Sequence, residues 1–400
     1  MTQTTIVRSI IFSFLFLINL TGFSQRNPAQ YPPFLADSYF SINIGRINYP
    51  FSNQHLEPGF QAESVSVPHT GVRLMLYGRH FNDYLAMQIS YMRPVLWVVY
   101  RNVNGAQTRH SVWMNVAGLT LKPQLPINKS LIMSGEFGLS IITRHGFRIN
   151  QETIVKDANY ASLLIGTGMK YHLNRSWDLT LHGVYSPPNR KVKQPHTVFI
   201  SPGFQYNMRP LTADKVLANS NTGYIWPINQ VTLGFTTNAA GYGVNAFFAE
   251  GAIPVFWGGD LHVERGISAS YQRNVFHGRK IFSLDFGASL SYWETESAHT
   301  SFFTLAVYPV LRFTLLRTKP ADLFFFYSVA GPTYISKSLV DGIDTGTRFT
   351  FHDYLGIGSF AGPSRKLSAE FKIGHYSNGN LFPQNAGVKV PLTFAVGYNF

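Results

Sequence analysis

The fold open to this chain is constrained most by runs such as residues 281–293, IFSLDFGASLSYW. Phe282, Leu284, Phe286, Ala288, Leu290 and Tyr292 fall on one face, and Ser283, Asp285, Gly287, Ser289 and Ser291 on the other. Period-two alternation of this length suits a long strand with one face in hydrocarbon and the other in a polar lumen. Phe303–Phe313 repeats it, with Phe303, Leu305, Val307, Pro309 and Leu311 opposite Thr304, Ala306, Tyr308 and Arg312. Met133–Ile141 and Trp177–Tyr185 show the same pattern in the first half. Past residue 37 no apolar stretch approaches the ~20 residues that a membrane-crossing helix needs. A soluble β-sandwich alternates too. An aromatic content of 15% against only 13% charged residues, placed outward, together with a terminal Phe400, points to an all-β transmembrane antiparallel barrel.

Between Asn207 and Asn229 the alternation lapses into a polar, proline-broken stretch that reads as a linker. Roughly eight candidate strands lie on each side, starting near Tyr39 and near Gln230, and about eight is the smallest number that closes a barrel filled by its own side chains. The expected architecture is two tandem eight-stranded barrels, residues 25–208 and 230–400, joined by a linker at 209–229. A single sixteen-stranded barrel is the alternative.

The first 24 residues carry one early cation, Arg8, an apolar run from Ile10 to Leu20, and small residues at Gly22 and Ser24. This is the pattern of a cleaved secretory signal peptide, residues 1–24, and implies export to the bacterial outer membrane. There is no cysteine, which excludes disulfides, thiolate metal sites, a thiol nucleophile and a lipoprotein anchor. The formal charge is +13, or +12 once Arg8 leaves with the signal. In an exported barrel such charge suits acidic membrane surfaces or phosphorylated lipids, and without a compact basic motif no nucleic-acid partner is expected. The aromatic runs LWVVY (96–100) and LFFFY (323–327) read as lipid-facing or girdle residues. Asn128–Lys129–Ser130 and Asn174–Arg175–Ser176 read as turns.

One polar segment interrupts the pattern where chemistry could reside: GHYSNGN, residues 374–380. Barrels of this kind begin and end at the periplasmic rim, so the last strand descends and the preceding one, about Leu367–Ser377, ascends to the outer leaflet. Phe371, Ile373, His375 and Ser377 then share the lipid-side face, and Glu370, Lys372, Gly374 and Tyr376 share the lumen face. A polar group facing hydrocarbon needs a partner or a purpose. Histidine and serine at i and i+2 are close enough for the ring to take the hydroxyl proton, the minimum requirement of an activated serine, although any H-x-S in a strand achieves this. No HExxH or metal-spaced carboxylate cluster occurs, so neither metal nor cofactor is expected.

The stretch RFTFHDYLGIGSFAG through LSAEFKIGHYSNGNLFPQNAGVKVPLTFAVGYNF, with its H-Y-S-N core followed by P-x-N-x-G and a short last strand, resembles the C-terminal part of PagL-type lipid A deacylases. These are outer-membrane barrels, with relatives labelled acyloxyacyl hydrolases, and the resemblance covers roughly residues 230–400. It implies a serine esterase acting on lipid A, with Ser377 as nucleophile, His375 as general base and Asn378 as oxyanion donor; a homodimer is compatible with it. The chain departs from the family at one point. The family supplies a glutamate on the final strand to orient the histidine, yet no Asp or Glu follows Ser377 here. Asn385 or Lys389 stands near that place, and only Asn385 could hold the ring, through its amide oxygen. Asp353, in FTFHDYLGIG on the neighbouring strand, offers an acid from another direction; an Asp paired to an interfacial Arg or Lys is the equal alternative. Under the esterase reading the catalytic unit is confined to the second barrel, and the first serves as anchor, partner-recognition element or glycolipid-binding element. The competing functional reading is a structural or adhesive barrel that has lost its orienting acid.

Overall fold

The computed structural model describes residues 28–250 and 258–400; the expected signal peptide lies outside the described residues. Alternation becomes strand wherever it was read. Eight strands form the first ring: β1 (Ser38–Asn48), β2 (Thr70–His80), β3 (Leu85–Pro94), β4 (Arg109–Pro126), β5 (Leu131–His145), β6 (Ala158–His172), β7 (Trp177–Ser186) and β8 (Thr197–Met208). Each pairs antiparallel with its chain neighbour, and β8 returns to β1 to close the ring. The second ring holds β9 (Asn229–Thr237), β10 (Leu261–His277), β11 (Phe282–Thr295), β12 (Ser301–Arg317), β13 (Ala321–Ile335), β14 (Phe349–Ala361), β15 (Leu367–Ser377) and β16 (Val388–Asn399), closed by β16 on β9. The chain is two eight-stranded barrels; the sixteen-stranded alternative is not what forms. Between them the expected linker contains a short helix, α1 (Ala213–Ser220).

The expected phases hold. In β12, Phe303, Leu305 and Val307 are exposed on the exterior, while Thr304, Ala306, Tyr308 and Arg312 are buried inside. The lumens are filled by polar and charged side chains, many of them paired with one another, as a closed narrow barrel demands. In the first, Arg73 pairs with Glu136 and donates to Ser90 Oγ at 3.1 Å. In the second, Arg312 pairs with Asp285, donates to Gln230 and Gln272 at 2.9 and 3.1 Å, and lies over the rings of Phe324 and Phe360.

Two aromatic runs depart from expectation. LFFFY obeys the same alternation as its strand, so Phe324 and Phe326 are buried in the lumen and only Leu323 is exposed. LWVVY lies outside the barrel wall: Val98–Val103 pairs with Ala62–Ser66 and the upper end of β4, and Val98 and Tyr100 join a buried cluster above the first lumen. Both predicted turns form, with Asn128 Oδ1 accepting the N–H groups of Ser130 and Leu131, and Asn174 Oδ1 those of Ser176 and Trp177.

Short turns (81–84, 127–130, 173–176, 278–281, 318–320, 362–366) gather at one rim of the barrels and, apart from 296–300, longer connections at the other, the arrangement of outer-membrane barrels with short periplasmic and long external links. At the short-turn rim the barrels meet through residues near the start of the described chain, where Leu35 packs with Val275, Phe276 and Leu284, and the Phe34 ring meets Phe286 edge-on at 5.1 Å. This cover explains why Leu284, exterior in phase, is buried.

Candidate active site

Antiparallel pairing of β14 with β15 sets Asp353 directly opposite His375 and Phe351 opposite Ser377. His375 Nδ1 lies 3.8 Å from Asp353 Oδ2. The acid is itself held, because its other oxygen, Oδ1, accepts the backbone N–H of Ala330. That donor exists because β13 carries a bulge: Ser328 pairs with Tyr354 and Gly331 with His352, so Val329 and Ala330 together oppose Asp353. Ala330 takes φ +52 to do so. Bulges re-aim backbone groups in this way near functional sites. Ala330 went unrecognised in the sequence, although the Gly-Pro that follows it inside a strand is a bulge signal.

On the lumen side, β15 is anchored by Tyr376. Its ring stacks on His352 at 4.4 Å between centroids, and its hydroxyl is 3.0 Å from Thr304 Oγ1. On the exterior side, Phe371 is exposed as expected, but His375 is only 2% exposed and Ile373 is also buried. Two pieces of chain cover them. Helix α2 (Gly243–Glu250), in the β9–β10 connection, lies across β15 and β16 and packs Phe248 and Ala249 on Ile373 and Leu355. Asn245 ties it down by donating to Val390 O at 3.0 Å. The second cover is the chain at Gly387, where a Cβ would sit 2.9 Å from His375 Nε2 and 2.7 Å from Gly258 O; only glycine permits so close a pass. The imidazole expected against lipid is therefore enclosed by protein, with Ser377 part-exposed beside it.

Asn378 is fully buried, and its side-chain amide donates to Thr345 O at 3.2 Å and Gln384 O at 2.6 Å. The amide expected to stabilise an oxyanion is thus engaged within the loop. Gly379 and Asn380 follow with φ +61 and +59, and among the described residues no hydrogen bond uses their backbone N–H groups. Asn385 is likewise committed elsewhere than to the imidazole. Its Oδ1 accepts the N–H of Asn378 at 2.7 Å and its Nδ2 donates to Asn380 Oδ1 at 2.7 Å, which makes it a brace for the loop rather than the expected holder of the ring.

Other histidines have local partners: His172 bonds Asp178 at 2.6 Å and His277 stacks on Trp226. Glu264, Glu294 and His299 bring ligand atoms within 4.8 Å of one another at the long-loop rim. His299 Nδ1 lies 2.9 Å from Glu264 Oε2, and Arg265 pairs with Glu294 at 2.6 Å.

Residues 265–399 match the family model described as lipid A 3-O-deacylase (PagL). No curated protein matches the chain. Among solved structures it is similar to the outer membrane enzyme PagL, at 15% identity over 42% of this chain and 97% of that one, with a TM-score of 0.32. It is also similar to Ail, the attachment invasion locus protein of Yersinia pestis in complex with a heparin analogue, at 14% identity over 42% and 97% with a TM-score of 0.29. Neisserial surface protein A stands at 13% identity over 43% and 97% with a TM-score of 0.30. The resemblance read from the H-Y-S-N region is borne out over β10 to β16, whose residues 265–399 match the lipid A 3-O-deacylase (PagL) family.

Proposed function

We propose that the second barrel is an outer-membrane serine esterase that removes an ester-linked acyl chain from lipid A. The observation that carries this reading is the His375–Asp353 pair, with its acid fixed by the Ala330 N–H, two residues from Ser377 on the exterior face of an outer-membrane-type barrel. The match of residues 265–399 to that family's model supports lipid A as the substrate. The carboxylate of Asp353 on β14, 3.8 Å from His375, supports this reading over that of a barrel that lost its orienting group.

His375 carries its proton on Nδ1, toward Asp353, and leaves Nε2 to accept the Ser377 hydroxyl proton. Ser377 Oγ attacks the acyl carbonyl, and the imidazolium so formed is stabilised by the Asp353 carboxylate. The oxyanion is met by N–H groups at Gly379 and Asn380, since the Asn378 amide is occupied. His375 returns its proton to the departing sugar hydroxyl oxygen, and water, activated by the same base, releases the fatty acid.

The test is mass spectrometry of lipid A from cells expressing the full chain or Ser377→Ala. The wild type is expected to produce lipid A lighter by one acyl chain, and Ser377→Ala to lower the rate at least ~10³-fold. Unchanged lipid A with the wild type, or equal deacylation by Ser377→Ala, refutes the proposal.

A further inference from the structure

Asn115 on β4, Thr143 on β5 and Asn159 on β6 occupy exterior-phase positions of the first barrel, in line with Leu119, Leu139 and Leu163, which are exposed as lipid-facing residues should be. Polar side chains at such positions are costly unless partnered. Register sets the three in one row, Asn115 opposite Thr143 and Thr143 opposite Asn159. Yet Asn115 and Thr143 are almost completely buried, at 1% and 0% exposure.

What buries them is the loop that follows Ser377. Asn115 Nδ2 donates to Asn380 O; Thr143 Oγ1 and Asn159 Nδ2 both donate to Leu381 O, at 3.0 and 2.6 Å; and Asn159 Nδ2 also reaches Thr143 Oγ1 at 2.8 Å. Farther along the loop, Gln384 Nε2 donates to Asp157 Oδ2 at 3.1 Å, and that carboxylate is fixed in turn by the Gly146 N–H at 2.8 Å and by His145 at 3.0 Å. The bonds to Asn380, Leu381 and Gln384 cross from one barrel to the other. From within its own barrel the loop is braced by Asn385 and Asn378.

We infer that the first barrel is a positioning element for the second: the row Asn115–Thr143–Asn159 docks residues 380–381 and thereby fixes the backbone N–H groups at Gly379 and Asn380 beside Ser377. The inference rests on the esterase reading for its catalytic consequence but not for the dock itself. Two exterior walls otherwise suited to lipid are joined by polar bonds to the one loop that carries the oxyanion donors. A dock serving adhesion of the barrels alone has no need to use that loop. Asn115, Thr143 and Asn159 touch no reacting atom; they act through the loop.

The test uses the full chain in micelles with lipid A and the double variant Thr143→Val/Asn159→Leu, whose apolar replacements suit an exterior wall. Retention of the folded barrel is checked by its heat-dependent gel mobility. Amide hydrogen exchange over residues 379–387 is expected to quicken by about tenfold or more, and kcat to fall by about tenfold with KM within about twofold, as misplacement of transition-state donors predicts. Exchange at the wild-type rate overturns the dock. Faster exchange with unchanged kcat, or a loss confined to KM, overturns the positioning role. A wild type inactive on lipid A defeats the esterase reading and with it the catalytic consequence, while the exchange comparison still decides whether the dock exists.

Discussion

Replacement of Asp353 separates two ways in which an acid can serve His375. The first is charge. Across 3.8 Å an imidazolium and a carboxylate attract by ~4 kcal/mol at an effective dielectric of ~20. The Asp353 side chain is 18% exposed, and solvent screening reduces that to ~2 kcal/mol, or ~30-fold in rate. Asp353→Ala removes this charge and leaves the imidazole free to choose its tautomer, so kcat should fall by ~30-fold. The second is tautomer control, and here the Ala330 N–H decides the outcome. It requires an acceptor, so in Asp353→Asn the amide oxygen must occupy the Oδ1 position and the NH₂ must face His375 Nδ1. Nδ1 then becomes an acceptor, the proton moves to Nε2, and the base is blocked, a defect worth ~10³- to 10⁴-fold. The more conservative substitution is therefore the more damaging one. Initial rates of fatty-acid release from lipid A micelles measure both. Asp353→Asn at the wild-type rate removes Asp353 from the mechanism, and Asp353→Ala slower than Asp353→Asn refutes the tautomer reasoning.

Gly387→Ala places a methyl group 2.9 Å from His375 Nε2 and 2.7 Å from Gly258 O. The barrel should still fold, with unchanged gel mobility, but kcat should fall by at least ~10-fold because the proton-accepting edge of the ring is displaced; wild-type activity would show that Nε2 does not face this path. In the lumen, Arg312→Met strands Asp285, which is fully buried beside it. Breaking such a pair should cost about 3–5 kcal/mol, read as a lower urea midpoint in micelles, whereas Arg312→Met/Asp285→Leu should regain much of the loss. A double variant no more stable than the single would mean that Gln230, Gln272 and the Phe324 and Phe360 rings, rather than the ion pair, make Arg312 valuable.

How legible the molecule was in its sequence depends on the range of the interactions concerned. Period-two alternation is local, and it located both barrels, the phase of β12 and β15, and the facing of Asp353 toward His375, since adjacent antiparallel strands in known phase leave little freedom. The same rule shows why LFFFY was misread: aromatic content suggested a girdle, but alternation sends Phe324 and Phe326 inward whatever their hydrophobicity. The bulge at Val329–Ala330 was hidden because register is a property of two strands, not one. The enclosure of His375 was hidden because α2 and Gly387 reach it from distant sequence. The most informative residues were visible all along as breaks in the local pattern. Asn115, Thr143 and Asn159 stand in exterior phase among leucines and isoleucines, and exterior-phase polarity is what His375 and Ser377 also display. In a lipid-facing wall the alternation itself defines an expectation at every second residue, so each polar exception asks for a partner. For His375 that partner is Asp353; for the row on the first barrel it is the loop after Ser377. The two sets of exceptions thus meet on either side of one ten-residue connection, residues 378–387, through which the first barrel holds the second.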